Sequence, residues 1–395
     1  MRRIGVMTYC HCQNYGAELQ AYALQETLRR IGWQSEIIQF ERTPITRQQK
    51  CYKVARAIFT RIRRRPFHGW GDVMKIMLQP VMRRLNHPSR EALVGNKLRS
   101  SRFEEFWATY ENHTEKIDAV NLSDLNYDVL IAGSDQIWNW LQTGDMSPYF
   151  LMFGSEECRK LSYAASLSES YIPRKYRDIY VSGLKNLDFV SVRESLTQAE
   201  LQKLTSKPVE VVLDPTLLLT PSDWSEVWSD AIQIEEPYIF SYSLNESTMY
   251  AKKVATLAST FGMKVVDIRS SPWGTGRPEF INVFDAGPRE FLYLLAHSKF
   301  VVTNSFHGTI FALNFHIPFL SLLNPVSGTN SRILSIVQEL GVQDRAVFDD
   351  DPCAIRNALL NEIDFDRVEK RRAVLDERSR RFLNAALPSL ERREV

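Results

Sequence analysis

The chain has 395 residues, enough for two or three domains at roughly 100–200 residues each. With 44% hydrophobic and 24% charged residues it has ordinary globular composition, which excludes a disordered, collagen-like or coiled-coil chain. The net charge of +2 hides an asymmetry: residues 42–102 hold 16 Lys and Arg against two acids, Asp72 and Glu91, so this stretch carries +14 and the remainder −12. Such a basic stretch implies an anionic partner or surface. No apolar run approaches the ~18 residues of a bilayer span. Met1–Met7 has neither a long apolar core nor a small-residue cleavage site, so a cytoplasmic protein is expected. The five cysteines, at 10, 12, 51, 158 and 353, are odd in number and scattered, so no disulfide framework is expected.

The opening reads strand, turn, helix, strand. Ile4–Thr8 is a short apolar strand, Cys10–Gly16 a polar turn, and Ala17–Ile31 carries apolar residues at helical spacing. Gly32 ends that helix and Ser35–Phe40 is a second strand, completing a βαβ unit. The basic stretch follows. Its apolar residues Val54, Ile58 and Ile62, then Val73, Met77, Val81 and Leu85, recur at helical spacing, which predicts a helical insert over 42–115. Buried strands are predicted at Tyr127–Gly133, Leu161–Ala165, Leu187–Arg193 and Val209–Leu213, with a helix over Thr197–Lys203.

A second series starts near Pro237. Strands are predicted at Tyr238–Ser243, Lys264–Ile268, Lys299–Thr303 and Pro318–Leu323. Helices are predicted at Thr248–Phe261, Arg289–Ser298 and Gly308–Phe315, and a charged helix at Phe365–Ala386. The fold class is therefore α/β, with two doubly wound Rossmann-like domains facing a cleft. The domains are placed at 1–222 and 236–362, joined by a Trp- and acid-rich linker, with a helical tail over 363–395.

Ligands of open parallel sheets bind beyond the carboxyl ends of the strands. The groups delivered there are Asn14 to Gln20, Gly133 to Asn139, Arg193-Glu194, Asp214-Pro-Thr216 and Thr303 to Gly308. His307 falls at a strand-to-helix turn, where free backbone N–H groups favour an anion and an imidazole can transfer a proton. The same His could simply order the turn. Arg193 ends an apolar strand and needs an anionic partner if buried. That partner is a ligand, or internally Glu194 or Asp214. Asp214 could equally cap a turn. Asp135 could seat an acceptor hydroxyl, or Ser134 and Asp135 could cap a helix. Asn14 and Gly16 would let backbone approach a ligand, or form ordinary turn chemistry. Cys10-His11-Cys12 lacks the second pair of ligands a zinc site needs, so no metal is expected. There is no Walker loop, no well-formed G-x-G-x-x-G and no G-x-S-x-G elbow.

At these residues the chain resembles the polysaccharide pyruvyl transferase family. The matches are Asn14-Tyr-Gly-Ala-x-Leu-Gln20, Gly133-Ser-Asp-Gln-x-Trp-Asn139, Tyr163-Ala-Ala-Ser166, Ser191-Val-Arg-Glu194, Leu213-Asp-Pro-Thr216 and Ser305-Phe-His-Gly308, in family order. The resemblance implies a fold like that of two-domain GT-B glycosyltransferases. It implies transfer of the enolpyruvyl carbons of phosphoenolpyruvate onto two hydroxyls of a sugar, giving a cyclic ketal and phosphate. The family's catalytic His maps onto His307 and its strand-end Arg onto Arg193. Some members carry Arg where Ser305 stands, so Arg193 and Arg332 must then supply the charge that meets the donor. Ser305 and Gly308 complete the donor side.

Asn14, Gly16, Gln20, Ser134 and Gln136 form the acceptor side, and Asp135 takes the hydroxyl proton. No metal or organic cofactor is implied. The expected partners are phosphoenolpyruvate and a glycan acceptor, with a polyprenyl pyrophosphate carrier as one form. The basic insert, with Arg63–Arg65, Phe67 and Trp70, is expected to touch the anionic inner face of the cytoplasmic membrane. Nucleic acid is not expected. The competing readings are a GT-B glycosyltransferase using a nucleotide sugar and a non-catalytic glycan-binding protein of the same fold.

Overall fold

The structure is a computed structural model that describes residues 3–64, 88–244, 248–269, 277–324, 330–348 and 351–387. Strands β1 (Arg3–Met7), β2 (Gln34–Ile37), β3 (Val129–Ala132) and β4 (Arg159–Ser162) form a parallel sheet in the order β2-β1-β3-β4. A parallel pair, β5 (Val190–Val192) and β6 (Val209–Val211), extends it through bridges from Leu161 to Phe189 and from Ala165 to Val192. The second sheet is also parallel. It comprises β7 (Tyr238–Tyr242), β8 (Lys264–Ile268), β9 (Ile281–Val283), β10 (Phe300–Thr303), β11 (Phe319–Leu323) and β12 (Ala346–Phe348), in the order β12-β11-β10-β7-β8-β9. Each sheet reverses its strand order once, between β1 and β3 and between β7 and β10, and each reversal opens a crevice for a ligand. The central strands are buried along their whole length, as in sheets covered by helices on both faces.

The helices are α1 (Tyr15–Arg30), α2 (Arg47–Arg64), α3 (Arg90–Tyr110), α4 (Arg177–Asn186), α5 (Ser195–Leu201), α6 (Pro221–Ser225), α7 (Thr248–Phe261), α8 (Pro288–Ala296), α9 (Phe306–Asn314), α10 (Asn330–Leu340), α11 (Pro352–Leu360) and α12 (Phe365–Ala386). Observed boundaries fall within a few residues of the expected ones. Strands β9 and β12 were not expected. Each has three residues and lies at a sheet edge, with only Val283 and Val347 fully buried, too short a pattern to read.

Both the basic insert and the C-terminal helix pack into the body of the molecule. The insert's second helix, α3, buries Ala92, Arg99, Phe103 and Phe106, with Phe103 against Tyr15 and Phe106 against Tyr22 of α1. Arg102 of α3 also reaches the second half of the molecule, donating to the Asp285 carbonyl (2.9 Å) and carboxylate (3.0 Å). The C-terminal helix is fixed in the same way. Ser379 of α12 accepts from Leu213 N (2.9 Å), Arg380 donates to Leu218 O (3.0 Å), and Phe382 packs between Tyr163 and Phe189. The expected helical positions Val73, Met77, Val81 and Leu85, with Arg65, Phe67 and Trp70, lie outside the described residues.

Candidate functional site

Most of the strand-end groups singled out in the sequence converge where the two halves meet. Gly133 to Gln136 follow β3, Arg193-Glu194 follow β5, and Asp214 lies three residues past β6. Ser305 and His307 follow β10, and Arg332 comes from the first turn of α10. His307 is 5% exposed. Its Nε2 lies 3.8 Å from Asp214 Oδ2 and has no hydrogen-bond partner among the described residues. Its other ring nitrogen faces Gly16, at the N-terminus of α1 in the first half. Burial drives the His307 pKa down to about 4, against the pull of Asp214 and Asp135, so the ring is neutral at pH 7.

Arg193 is the hub. Its Nη1 donates to Asp214 (2.6 Å), Nε to Glu194 (3.3 Å) and Nη2 to Asp135 (3.4 Å). Burial opposes the Asp214 anion, but Arg193 and then His307 outweigh it and hold that carboxyl below the usual range. Asp214 serves two purposes. Oδ1 caps the turn by accepting from Thr216 N (3.1 Å) and Oγ1 (2.7 Å), while Oδ2 takes Arg193, His307 and the Ser134 hydroxyl (3.3 Å). Glu194 is equally fixed, accepting from Ser166 (2.6 Å) and Thr197 (2.8 Å). Arg193 thus pairs with three carboxylates and orders them around His307.

Arg332 differs. Its closest carboxylate is Asp135 Oδ1 at 3.8 Å, and its Nε has no partner among the described residues. Burial and then the like charge of Arg193 lower its pKa to about 10, so it remains a cation at neutral pH. Phe306 packs its ring against both guanidiniums, 4.3 Å from Arg193 and 5.6 Å from Arg332. Gln136, with its amide oriented to satisfy both ends, accepts from Arg332 at 3.0 Å. Asp135 sits at φ 67°, an uncommon left-handed conformation for a non-glycine residue. Its Oδ1 faces both arginines, and its Oδ2 takes no hydrogen bond from the described residues.

The other residues expected at the site make hydrogen bonds within the fold. Ser305 caps α9 by accepting from Gly308 N (3.4 Å), and a Cβ on Gly308 would lie 2.5 Å from Thr303 Oγ1, so neither offers a side chain to a donor. The amides of Phe306 and His307 donate to no described residue and remain for an anion. Asn14 caps α1 through Gly16 N (3.0 Å) and Ala17 N (3.2 Å). Gln20 ties Thr8 (2.9 Å) and Ala17 O (2.9 Å) to Ser134 N (3.0 Å). Ser134 itself is fully buried, donating to Ala164 O (3.0 Å). Asn14, Gln20 and Ser134 hold the loops of the first half together. Glu194 was read only as a possible partner of Arg193, and the placing of the Phe306 ring against both guanidiniums had no signal in the sequence.

Among the described residues no group of three or more His, Cys, Asp or Glu is arranged to hold a metal ion, and no helix is long and apolar enough to cross a membrane. The five cysteines are free.

Residues 14–325 match the family model for polysaccharide pyruvyl transferases. No curated protein is significantly similar in sequence. Among solved structures, UDP-GlcNAc 2-epimerase from Methanocaldococcus jannaschii is similar at TM-score 0.50 and 10% identity, over 98% of this chain and 100% of its own. A Listeria monocytogenes protein assigned as a UDP-N-acetylglucosamine 2-epimerase is similar at TM-score 0.50 and 9% identity, over 97% of this chain and 96% of its own. At such identities the likeness is one of fold, the two-sheet GT-B arrangement.

Proposed function

The chain belongs to the polysaccharide pyruvyl transferase family, and on that premise we propose that it moves the enolpyruvyl group of phosphoenolpyruvate onto two hydroxyls of a sugar. The sugar belongs to a cell-surface glycan or its lipid-linked precursor, and the products are a pyruvate ketal and phosphate. The observation that carries the reading is the placement of a neutral, buried His307 between Gly16 of one half and a guanidinium–carboxylate cluster, with Arg332 and two helix amides left to meet an anion.

The chemistry balances through these groups. In the first step the methylene carbon gains a proton while a sugar hydroxyl, losing one, bonds to the adjacent carbon. In the second, another hydroxyl displaces phosphate, and its proton leaves with the phosphate. Arg332 and the amides of Phe306 and His307 hold the donor's anionic oxygens. His307 delivers the proton. It is too weakly basic to carry one in the empty site, and the donor's negative charge raises its pKa on binding. Asp135 takes the hydroxyl proton through Oδ2. Arg193 keeps Asp214 and Asp135 in place. We infer as well that the enzyme works at an anionic membrane surface, with α2 as the contact.

Incubation with phosphoenolpyruvate and a panel of lipid-linked or synthetic glycosides, read by mass spectrometry, tests the reaction. A gain of one pyruvyl ketal with phosphate release is expected. His307→Gln should lower turnover by about 10²–10⁴-fold with an unchanged circular dichroism spectrum. Sugar transfer from a nucleotide sugar, with no ketal on any acceptor, would overturn the reading.

A further inference from the structure

The His307 cluster has no charge to spare. Its two guanidiniums, Arg193 and Arg332, face three carboxylates, Asp135, Glu194 and Asp214. A donor with both phosphate and carboxylate, or an acceptor carried on a pyrophosphate, needs a further cation. Arg99 of α3 bonds to Gln13, in the loop that leads to Gly16 and so to His307. Arg99 occupies a core-facing position of its helix, in line with Ala92, Phe103 and Phe106, and is 4% exposed. Its Nη2 donates to the neutral oxygens of Gln13 (2.9 Å) and Asn96 (3.2 Å). Among the described residues its Nε and Nη1 have no hydrogen-bond partner, and the guanidinium lies over the Phe103 ring, 5.9 Å from its centre.

Arg99 is therefore buried with two nitrogens unbonded among the described residues, an arrangement that costs stability and that a core-facing methionine would avoid. Its surroundings join it to the site. Gln13 precedes Asn14, Tyr15 and Gly16, and Gly16 touches His307. Arg99 also acts on the phenols of Tyr15 and Tyr242: burial pushes Tyr15 up to about 12, and Arg99 pulls against that shift. Tyr242 ends β7 beside Thr303 of β10, the strand that delivers His307. The group covering Arg99, Gln13, is exposed and offers only an amide oxygen. An anionic oxygen makes a stronger, charge-assisted bond to the same nitrogens and would displace it.

We propose that Arg99 binds an anionic oxyacid group of a substrate, a phosphate or a carboxylate, beside the loop that leads to Gly16. The group comes from the donor or from an acceptor bearing pyrophosphate. The inference deepens the proposed function, yet its test reads binding and unfolding, so it stands or falls apart from the transfer reaction. Calorimetric titration of the full chain with phosphoenolpyruvate and, separately, with inorganic pyrophosphate is compared between wild type, Arg99→Met and Arg99→Gln.

At least a tenfold weaker affinity for one anion in a folded variant is expected. Loss for phosphoenolpyruvate assigns the contact to the donor, and loss for pyrophosphate alone assigns it to the acceptor. Ligand-free Arg99→Met should melt at or above the wild-type temperature, whereas a residue kept for structure would melt lower when replaced. Wild type binding neither anion, both folded variants binding both anions within twofold of wild type, or a lowered melting temperature in Arg99→Met would overturn the proposal.

Discussion

A methyl group on residue 16 would fall on the His307 imidazole, so the glycine there is a requirement of the contact between the two halves. Gly16→Ala is expected to push His307 off its place near Asp214 and to lower kcat by about tenfold or more, as displacements of this size do. Circular dichroism and the melting temperature should change far less than the rate. A second residue-scale consequence concerns protons. Burial pushes the Glu18 carboxyl up to about 7, although it accepts from Cys12 N (2.8 Å) and Trp107 Nε1 (2.8 Å). Below pH 4.5 the folded and unfolded chains both hold that proton, and Glu18 adds no pH dependence. Between 4.5 and 7 the unfolded chain releases it first, so stability falls as pH rises, and above 7 the loss is complete. His307 acts in the opposite sense. Its folded pKa of about 4 lies below the ordinary 6.5, so stability rises across that interval. The two terms oppose each other from pH 4.5 to 6.5, and only Glu18 acts just above it. Wild type minus Glu18→Gln, compared by thermal melts from pH 5 to 8, should therefore fall with pH. A flat difference would refute the assignment.

At the scale of elements, α2 is a basic helix at the surface. Gln49 fastens it by donating to Trp140 O (2.6 Å) and Thr143 O (3.0 Å), and Arg56 pairs with Glu169 at 2.5 Å. Away from that seam it exposes Val54 (50%) and Phe59 (66%) beside the exposed Arg47 and Lys50, and the helix contains no acid. Basic residues near anionic lipid contribute about 1 kcal/mol each at most, so a few suffice for reversible docking. Binding to phosphatidylserine vesicles should weaken as salt rises and drop several-fold in Arg47→Glu with Lys50→Glu. Equal recovery with neutral and anionic vesicles would dismiss the contact. The basic stretch marks where the sequence stopped being legible. Period and strand-end logic located nearly every strand and picked out His307, Asp135 and Arg193, while Arg332 entered only through the family resemblance. The basic composition said nothing of α3, because Phe103 and Phe106 look like any helical stripe until Tyr15 and Tyr22 meet them. The pairing of Arg193 was also hidden. Glu194 and Asp214 were legible as possible partners, but only packing shows that both bind at once and leave Arg332 as the freer cation.

The whole molecule is held shut by contacts that cross between its halves. Tyr15 stacks on Phe291 with ring centres 4.5 Å apart and donates to Ala286 O (2.8 Å). Asn314 donates to Thr216 O and Leu219 O (both 3.0 Å), and Ser195 donates to Glu339 (3.0 Å). Within this arrangement His307 and Arg332 are 5% and 4% exposed, too enclosed for the substrates of the proposed reaction to enter. That reaction is therefore expected to need the halves to part. The polar contacts between α5 and α10, Ser195 with Ser335 and Glu339, lie at the surface and carry little apolar area, so this edge is the one that parts first. The aromatic contacts around Tyr15 and Phe291 are fully buried and act as the pivot. A donor that bridges Arg332 to the first half binds the closed form more tightly and shifts the population toward it. Small-angle scattering should thus give a radius of gyration for the free protein above that of the closed form, falling when phosphoenolpyruvate is added. Amides at Ser195 and along 331–339 should exchange more slowly with donor bound. Identical scattering and exchange with and without donor, once binding is shown by titration, would mean that substrates reach His307 without the halves moving.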